Sequence, residues 1–231
     1  MISLKASRSD TFGTAFFVHG HFLFFVYDKE MKIPKGVQYI IGIDEAGRGP
    51  LAGPVSLGVA CFCAGDFRRF KKFSAGVRDS KKLSEKQREE WFVKMEEETA
   101  LTEFSFAVSF SSSTMIDSRG LSFAIRRALA GALNKISCPP EQTLVLLDGG
   151  LHAPEEYIFQ ETIIHGDDIE PIISLASIAA KVSRDRKMRA LAKKYPEYGF
   201  EKHKGYGTKA HYQVIEKYGI LEKIHRKSFL Q

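Results

Sequence analysis

The chain has 231 residues, 44% of them hydrophobic and 27% charged, with a formal net charge of +6. Ordinary composition at this length indicates a globular chain that can bury its own core, and it excludes low-complexity, collagen-like and disulfide-stapled classes. The modest basic excess is compatible with a polyanionic partner without demanding one. Three cysteines, Cys61, Cys63 and Cys138, have no metal-type spacing, and an odd count fits a reducing compartment.

Residues 1–37 read as an extension ahead of the domain, with Met31 an alternative start and the Pro/Gly-punctuated stretch Lys32 to Gly36 a linker. The apolar run Ala15 to Tyr27 is too short to span a membrane. His19, Gly20 and His21 interrupt it and no small-residue cleavage site follows, so it is not read as a signal peptide. From Tyr39 the pattern becomes regular. Tyr39 to Ile43 reads as a strand running into Asp44, and Val55, Leu57, Val59 and Cys61 alternate in a second, with Cys61 and Cys63 as small core residues on one side. Phe104 to Phe110 alternates large and small in a third. Ser84 to Glu98 reads as a helix capped by Ser84. Thr114 to Lys135 reads as another, with a break possible at Gly120. Leu144 to Leu147 is a continuous apolar strand, Tyr157 to Ile164 a further strand, and Ile172 to Lys194 a long helix. A last helix begins near Thr208. The order predicts an α/β architecture in which helices pack on a mixed sheet.

Four carboxylates stand at three of the predicted strand ends. Asp44 and Glu45 are adjacent and are followed by Gly47, Arg48 and Gly49. Adjacent acids repel unless a cation lies between them, and glycines let backbone N–H groups approach a ligand; the same string also suits a tight Gly/Pro hairpin with solvated acids. Asp148 ends Leu144 to Leu147, where open α/β sheets bind ligands, yet Asp148-Gly149-Gly150 is equally a turn. Asp167 follows Tyr157 to Ile164 and precedes the long helix, where an acid caps without any metal. Taken together, the four suit hard cations such as Mg2+ or Mn2+, which phosphodiester cleavage employs in pairs. Zinc spacing is absent, and so is the Gly-x4-Gly-Lys-Ser/Thr string of a P-loop. Asp79 to Ser84 could hold a phosphate at its helix N-terminus or be a solvated charge run. Lys202 to Lys209 places Tyr206 between glycines and cations, which suits a sugar or base or simply links helices. Ser174, Ser177 and Lys181 share one helix face.

Six ordered motifs carry a resemblance to the ribonuclease HII family from about Tyr39 to Phe229. They are Asp44 to Pro50, Asp79 to Leu83, Leu147 to Gly149, Gly166-Asp167, Ala176 to Asp185 and His203 to Thr208. The Gly-Arg-Gly segment favours this family over ribonuclease HIII. The resemblance implies a ribonuclease H-like fold: a five-stranded mixed sheet flanked by helices, with a helical carboxyl-terminal part, all within residues 38–231. It implies Asp44, Glu45, Asp148 and Asp167 as metal-binding catalytic acids, with Asp185 structural or peripheral. Gly47, Arg48 and Gly49 would read the ribonucleotide 2′-hydroxyl, and Tyr206 would pack on the neighbouring sugar. Lys81, Lys82, Ser177 and Lys181 would contact phosphates. The implied activity is Mg2+- or Mn2+-dependent endonucleolytic cleavage of RNA in RNA–DNA hybrids and 5′ of ribonucleotides embedded in duplex DNA. The expected protein is a cytoplasmic monomer with no membrane partner. The alternative is a hybrid-binding module without catalysis, which would gain nothing from clustered negative charge near phosphate.

Overall fold

The computed structural model describes residues 15–18, 21–24, 33–77 and 82–230. The chain divides into two units, Met1–Ile33 and Pro34–Gln231. In the first, strands β1 (Ala15–Val18) and β2 (His21–Phe24) pair antiparallel. The second unit begins at Pro34, inside the stretch read as a linker.

The second unit is built on five strands: β3 (Tyr39–Ala46), β4 (Val55–Cys63), β5 (Ser105–Ser111), β6 (Thr143–Asp148) and β7 (Phe159–Ile163). Their spatial order is β5-β4-β3-β6-β7, with β5, β4 and β3 antiparallel and β3, β6 and β7 parallel. This is the mixed sheet the sequence predicts. β3 lies at its centre, and its run Ile40 to Ile43 is buried on both faces, as a central strand requires. Edge strand β7 is exposed along its middle and shorter than its apolar pattern suggests. Tyr157 is buried ahead of it, outside the ladder.

The helices are α1 (Phe67–Phe73), α2 (Glu85–Leu101), α3 (Ser113–Arg119), α4 (Leu121–Leu133), α5 (Gly166–Ile169), α6 (Pro171–Lys194), α7 (Phe200–His203) and α8 (Lys209–Tyr218). Several start where local chemistry directs. Ser84 accepts from the Gln87 N–H while the Gln87 side chain accepts from the Ser84 N–H, a reciprocal cap of about 1 kcal/mol. Thr208 caps α8 through the His211 N–H. Gly120, at φ 82°, separates α3 from α4 and makes two helices of the predicted one. α4 buries Ala124, Ile125, Ala128, Leu129, Ala132 and Leu133, a stripe at helical spacing.

Strand parity sorts the two faces of the sheet. Ile41, Ile43, Val55, Leu57, Val59, Cys61, Val145 and Leu147 form one core with the α4 stripe. Residues of the other parity face α6. At Gly42 a Cβ would lie 2.4 Å from the Ile172 carbonyl, and at Gly58 2.1 Å from the Ala176 oxygen, so only glycine lets α6 sit this close. Ser56 donates to the Ala180 carbonyl on the same face. β5 alternates for the same reason. Phe106 packs edge-on against Phe92 of α2, while Ser109 faces Gly131 of α4. Cys61 is buried with its sulfur 3.3 Å from that of Cys138, whereas Cys63 is only partly buried.

Candidate active site

Parallel pairing of β3 with β6 ends at Ile43 and Leu147, so Asp44 and Asp148 follow side by side at one edge of the sheet. Both have the parity that faces α6. There the Ser177 hydroxyl donates to the Asp44 carboxylate, whose Oδ1 also accepts from the Glu45 N–H at 2.7 Å. A pocket of about 280 Å³ opens here. It is lined by Asp44, Glu45, Ala46, Gly47, Arg48, Gly49, Asp148, Ser177, Lys181 and Tyr206. Nine of these residues are candidates named from sequence, contributed by four separate stretches of chain.

Asp167 is completely buried on α5 and is not part of the pocket lining. It is tied to the site through its neighbour, since the Gly166 N–H donates to Asp148 Oδ1 at 2.7 Å. Ser174 in turn donates to the Asp167 carbonyl at 2.5 Å. Lys82 does not line the pocket either; it reaches Asp168 at 3.5 Å. Lys81, together with Asp79 and Ser80, lies outside the described residues. Asp185 is buried and accepts from the Lys181 ammonium at 2.7 Å.

Crowded acids make this pocket electrostatically unfavourable. Burial raises Asp44 well above the usual carboxylate range, and the charges of Glu45 and Asp148 add to that rise against the Ser177 hydrogen bond. Burial also raises Glu45, opposed by Arg48, whose guanidinium lies 3.0 Å from Glu45 Oε1. Lys181 is pushed down by burial in spite of Asp185. Among the described residues no three acids, histidines or cysteines close round a point as they stand, because Glu45 is turned to Arg48 and Asp148 to Gly166. The donor set nonetheless consists of carboxylate oxygens, which suits a hard divalent cation, and such a cation would relieve the repulsion that raises Asp44 and Glu45.

Two buried arginines that sequence reasoning passed over hold the Gly47–Pro54 loop from beneath. Arg226 donates to the carbonyls of Gly47 at 2.6 Å, Arg48 at 2.7 Å and Gly53 at 3.0 Å. Arg184 donates to those of Pro54 at 2.9 Å and Ala52 at 3.1 Å, and its Nη1 is buried without a hydrogen-bond partner among the described residues. At Gly47, with φ 90°, a Cβ would sit 2.2 Å from Arg184 Nε. The loop's backbone carbonyls are thus engaged on the inner side. Arg184 lies inside a motif quoted from the sequence, but nothing local signals a partner 130 residues away.

A mixed sheet with an acidic pocket at one edge, under a long crossing helix, fits the ribonuclease H-like nuclease that the sequence motifs imply. A family model described as Ribonuclease HII matches residues 41–231. Ribonuclease HII of Bacillus cereus (strain B4264) is 44% identical over 195 residues, covering 84% of this chain and 70% of the relative. The ribonuclease H2 of Pyrococcus horikoshii OT3 superposes with a TM-score of 0.64 at 28% identity, covering 82% of this chain and 93% of the other. Bst-RNase HIII, solved in complex with Mn2+, shares the fold at a TM-score of 0.59 and 18% identity, covering 84% and 70%. The chain belongs to the ribonuclease HII family, a family of endoribonucleases.

Proposed function

We propose that this protein hydrolyses the RNA strand of RNA–DNA hybrids and cuts 5′ of ribonucleotides embedded in duplex DNA, leaving a 3′-hydroxyl and a 5′-phosphate. The observation that carries the reading is the convergence of Asp44, Glu45 and Asp148 with Gly47, Arg48, Gly49 and Tyr206 on one pocket. Asp44, Glu45, Asp148 and Asp167 would hold two Mg2+ or Mn2+ ions. Bound there, such ions supply an activated water and stabilise the departing 3′ oxygen.

The remaining chemistry belongs to the chain. Gly47 to Gly49, with the Gly47 and Arg48 carbonyls held by Arg226, would offer backbone groups to a 2′-hydroxyl, the group that distinguishes RNA from DNA. Tyr206 offers a ring to the adjoining sugar. Lys181 and Ser177 line the pocket and would contact a phosphate there, and Lys82, beside Asp168, would contact one outside it. The basic excess favours a polyanionic duplex. No helix among the described residues is long and apolar enough to cross a membrane.

The test uses a duplex carrying one ribonucleotide and a long RNA–DNA hybrid, each with and without Mg2+ or Mn2+. Metal-dependent cuts with 5′-phosphate ends are expected on both, and EDTA should stop cleavage while hybrid binding persists. Binding that never leads to cleavage with either metal would favour the non-catalytic module instead.

A further inference from the structure

A second polar cluster lies behind Tyr206. The rings of His211 and His225 are buried, with their Nε2 atoms 3.1 Å apart. Their other partners assign the protons. His225 Nδ1 accepts from the Leu221 N–H at 2.8 Å, so its proton is on Nε2 and points at His211. His211 Nε2 accepts it, and His211 Nδ1–H donates to the Tyr206 carbonyl at 2.9 Å. The resulting chain runs Leu221 N–H, His225, His211, Tyr206 C=O. It carries one proton per ring, and every ring nitrogen is used.

The ends of this chain reach both sides of the pocket. Tyr206 lines it. His225 adjoins Arg226, which grips Gly47 and Arg48, and the same segment is bonded to the loop through Arg226 N–H to Leu51 C=O and Gly53 N–H to Ile224 C=O. We infer that the His211–His225 pair is a positioning device for the substrate pocket, setting Tyr206 relative to the Gly47–Gly49 loop through a shared proton that adds to the direct Leu51 N–H to Gly205 C=O bond at 2.8 Å. The inference rests on the reading of Tyr206 as a substrate contact.

A second proton cannot be accommodated. It would set two N–H groups against each other at 3.1 Å. The titratable groups facing the pair are His203 of α7, stacked on His211 at 4.2 Å, and Tyr198, whose ring is 5.5 Å from His225; the guanidinium of Arg226, next in the chain, is turned to the Gly47, Arg48 and Gly53 carbonyls. None of these supplies negative charge at neutral pH. Burial accordingly lowers His211 to about 4, with His203 and His225 adding to the fall against the Tyr206 hydrogen bond, and lowers His225 as well. A histidine depressed in this way contributes its full share of stability above its unfolded value near 6.5 and loses it as pH falls through about 4. The tyrosine loop should therefore loosen between those two values.

The full chain tests this directly. At pH 7, nitrogen NMR of the histidine rings should show His211 protonated only on Nδ1 and His225 only on Nε2. On acidification, the Tyr206 and Gly205 amide signals should move with the midpoint of the His211 ring. Amides that stay still through that midpoint, or a doubly protonated His211 at pH 6.5, would overturn the proposal. A mutant cycle adds an activity readout. His225→Ala should lower kcat/KM on a single-ribonucleotide duplex by about tenfold, the worth of one buried hydrogen bond. In a Tyr206→Ala background the same change should cost less than about twofold. His225→Gln, which keeps an N–H donor, should recover most of the loss. Equal losses in both backgrounds would mean that the pair only supports the fold, and would sink the proposal. Full activity in Tyr206→Ala alone would remove the substrate contact instead, leaving the NMR linkage to stand or fall separately.

Discussion

At the scale of single residues, the acids and Tyr206 make the sharpest demands. Asp148 is shared between the pocket and the Gly166 N–H. An Asp148→Asn amide can still accept that backbone bond, so the fold should survive. A neutral amide is a poor ligand for a hard cation, so cleavage should fall to near background in a hybrid assay while the circular dichroism melt barely moves. Normal turnover by the variant would take Asp148 out of the site. Tyr206 is 42% exposed, and one side of its ring faces the Arg184 guanidinium at 5.7 Å. A ring so open contributes little to holding the C-terminal helices together. Tyr206→Ala should therefore leave the melting temperature almost unchanged while slowing cleavage at a single embedded ribonucleotide by roughly 5–150-fold, the worth of a stacking contact. Equal losses on single-ribonucleotide and long-hybrid substrates, with a clear fall in melting temperature, would make it a packing residue.

At the scale of elements, the position of α6 matters most, because it carries Ser177, Lys181 and Arg184. Its height over the sheet is set by Gly42 and Gly58. Gly58→Ala would place a Cβ 2.1 Å from the backbone oxygen of Ala176, an atom that cannot swing aside. The expected cost is about 1–3 kcal/mol, read as a melting temperature lower by several degrees. Gly65→Ala is the control, because its Cβ would meet only Cys63 Sγ at 3.8 Å. Matching melts for the two variants would show that α6 shifts freely. Long elements were legible through period and capping: Ser84 before α2, Thr208 before α8 and Gly120 between α3 and α4. The short helices α1, α5 and α7 were not, because four to seven residues hold too little of a 3.6-residue period to stand out. Asp167 was accordingly placed just ahead of the long helix, whereas it sits in a helix of its own.

At the scale of the whole molecule, the pocket is assembled from β3, β6, α6 and the loop before α8, all within Pro34–Gln231. We propose that this unit is the catalytic domain and that the preceding residues are dispensable for cleavage. A chain begun at Met31 should fold and cut a hybrid at the full-length rate. A large loss of either would show that residues 1–30 support the domain.

The sequence by itself determined the order of strands and long helices, the mixed α/β class, the family, and nearly every side chain that lines the pocket. Those signals are local: apolar periodicity, a capping hydroxyl, an acid after an apolar run, a motif in its place. Only the tertiary structure decided that Arg226 holds Gly47 and Arg48, that Arg184 lies beneath the same loop, and that His211 and His225 share a proton behind Tyr206. The Arg226 contacts span 173 to 179 residues. An arginine or histidine reads alike whether it is solvated or buried. Its partner is chosen only when folding removes water and each buried donor must find an acceptor.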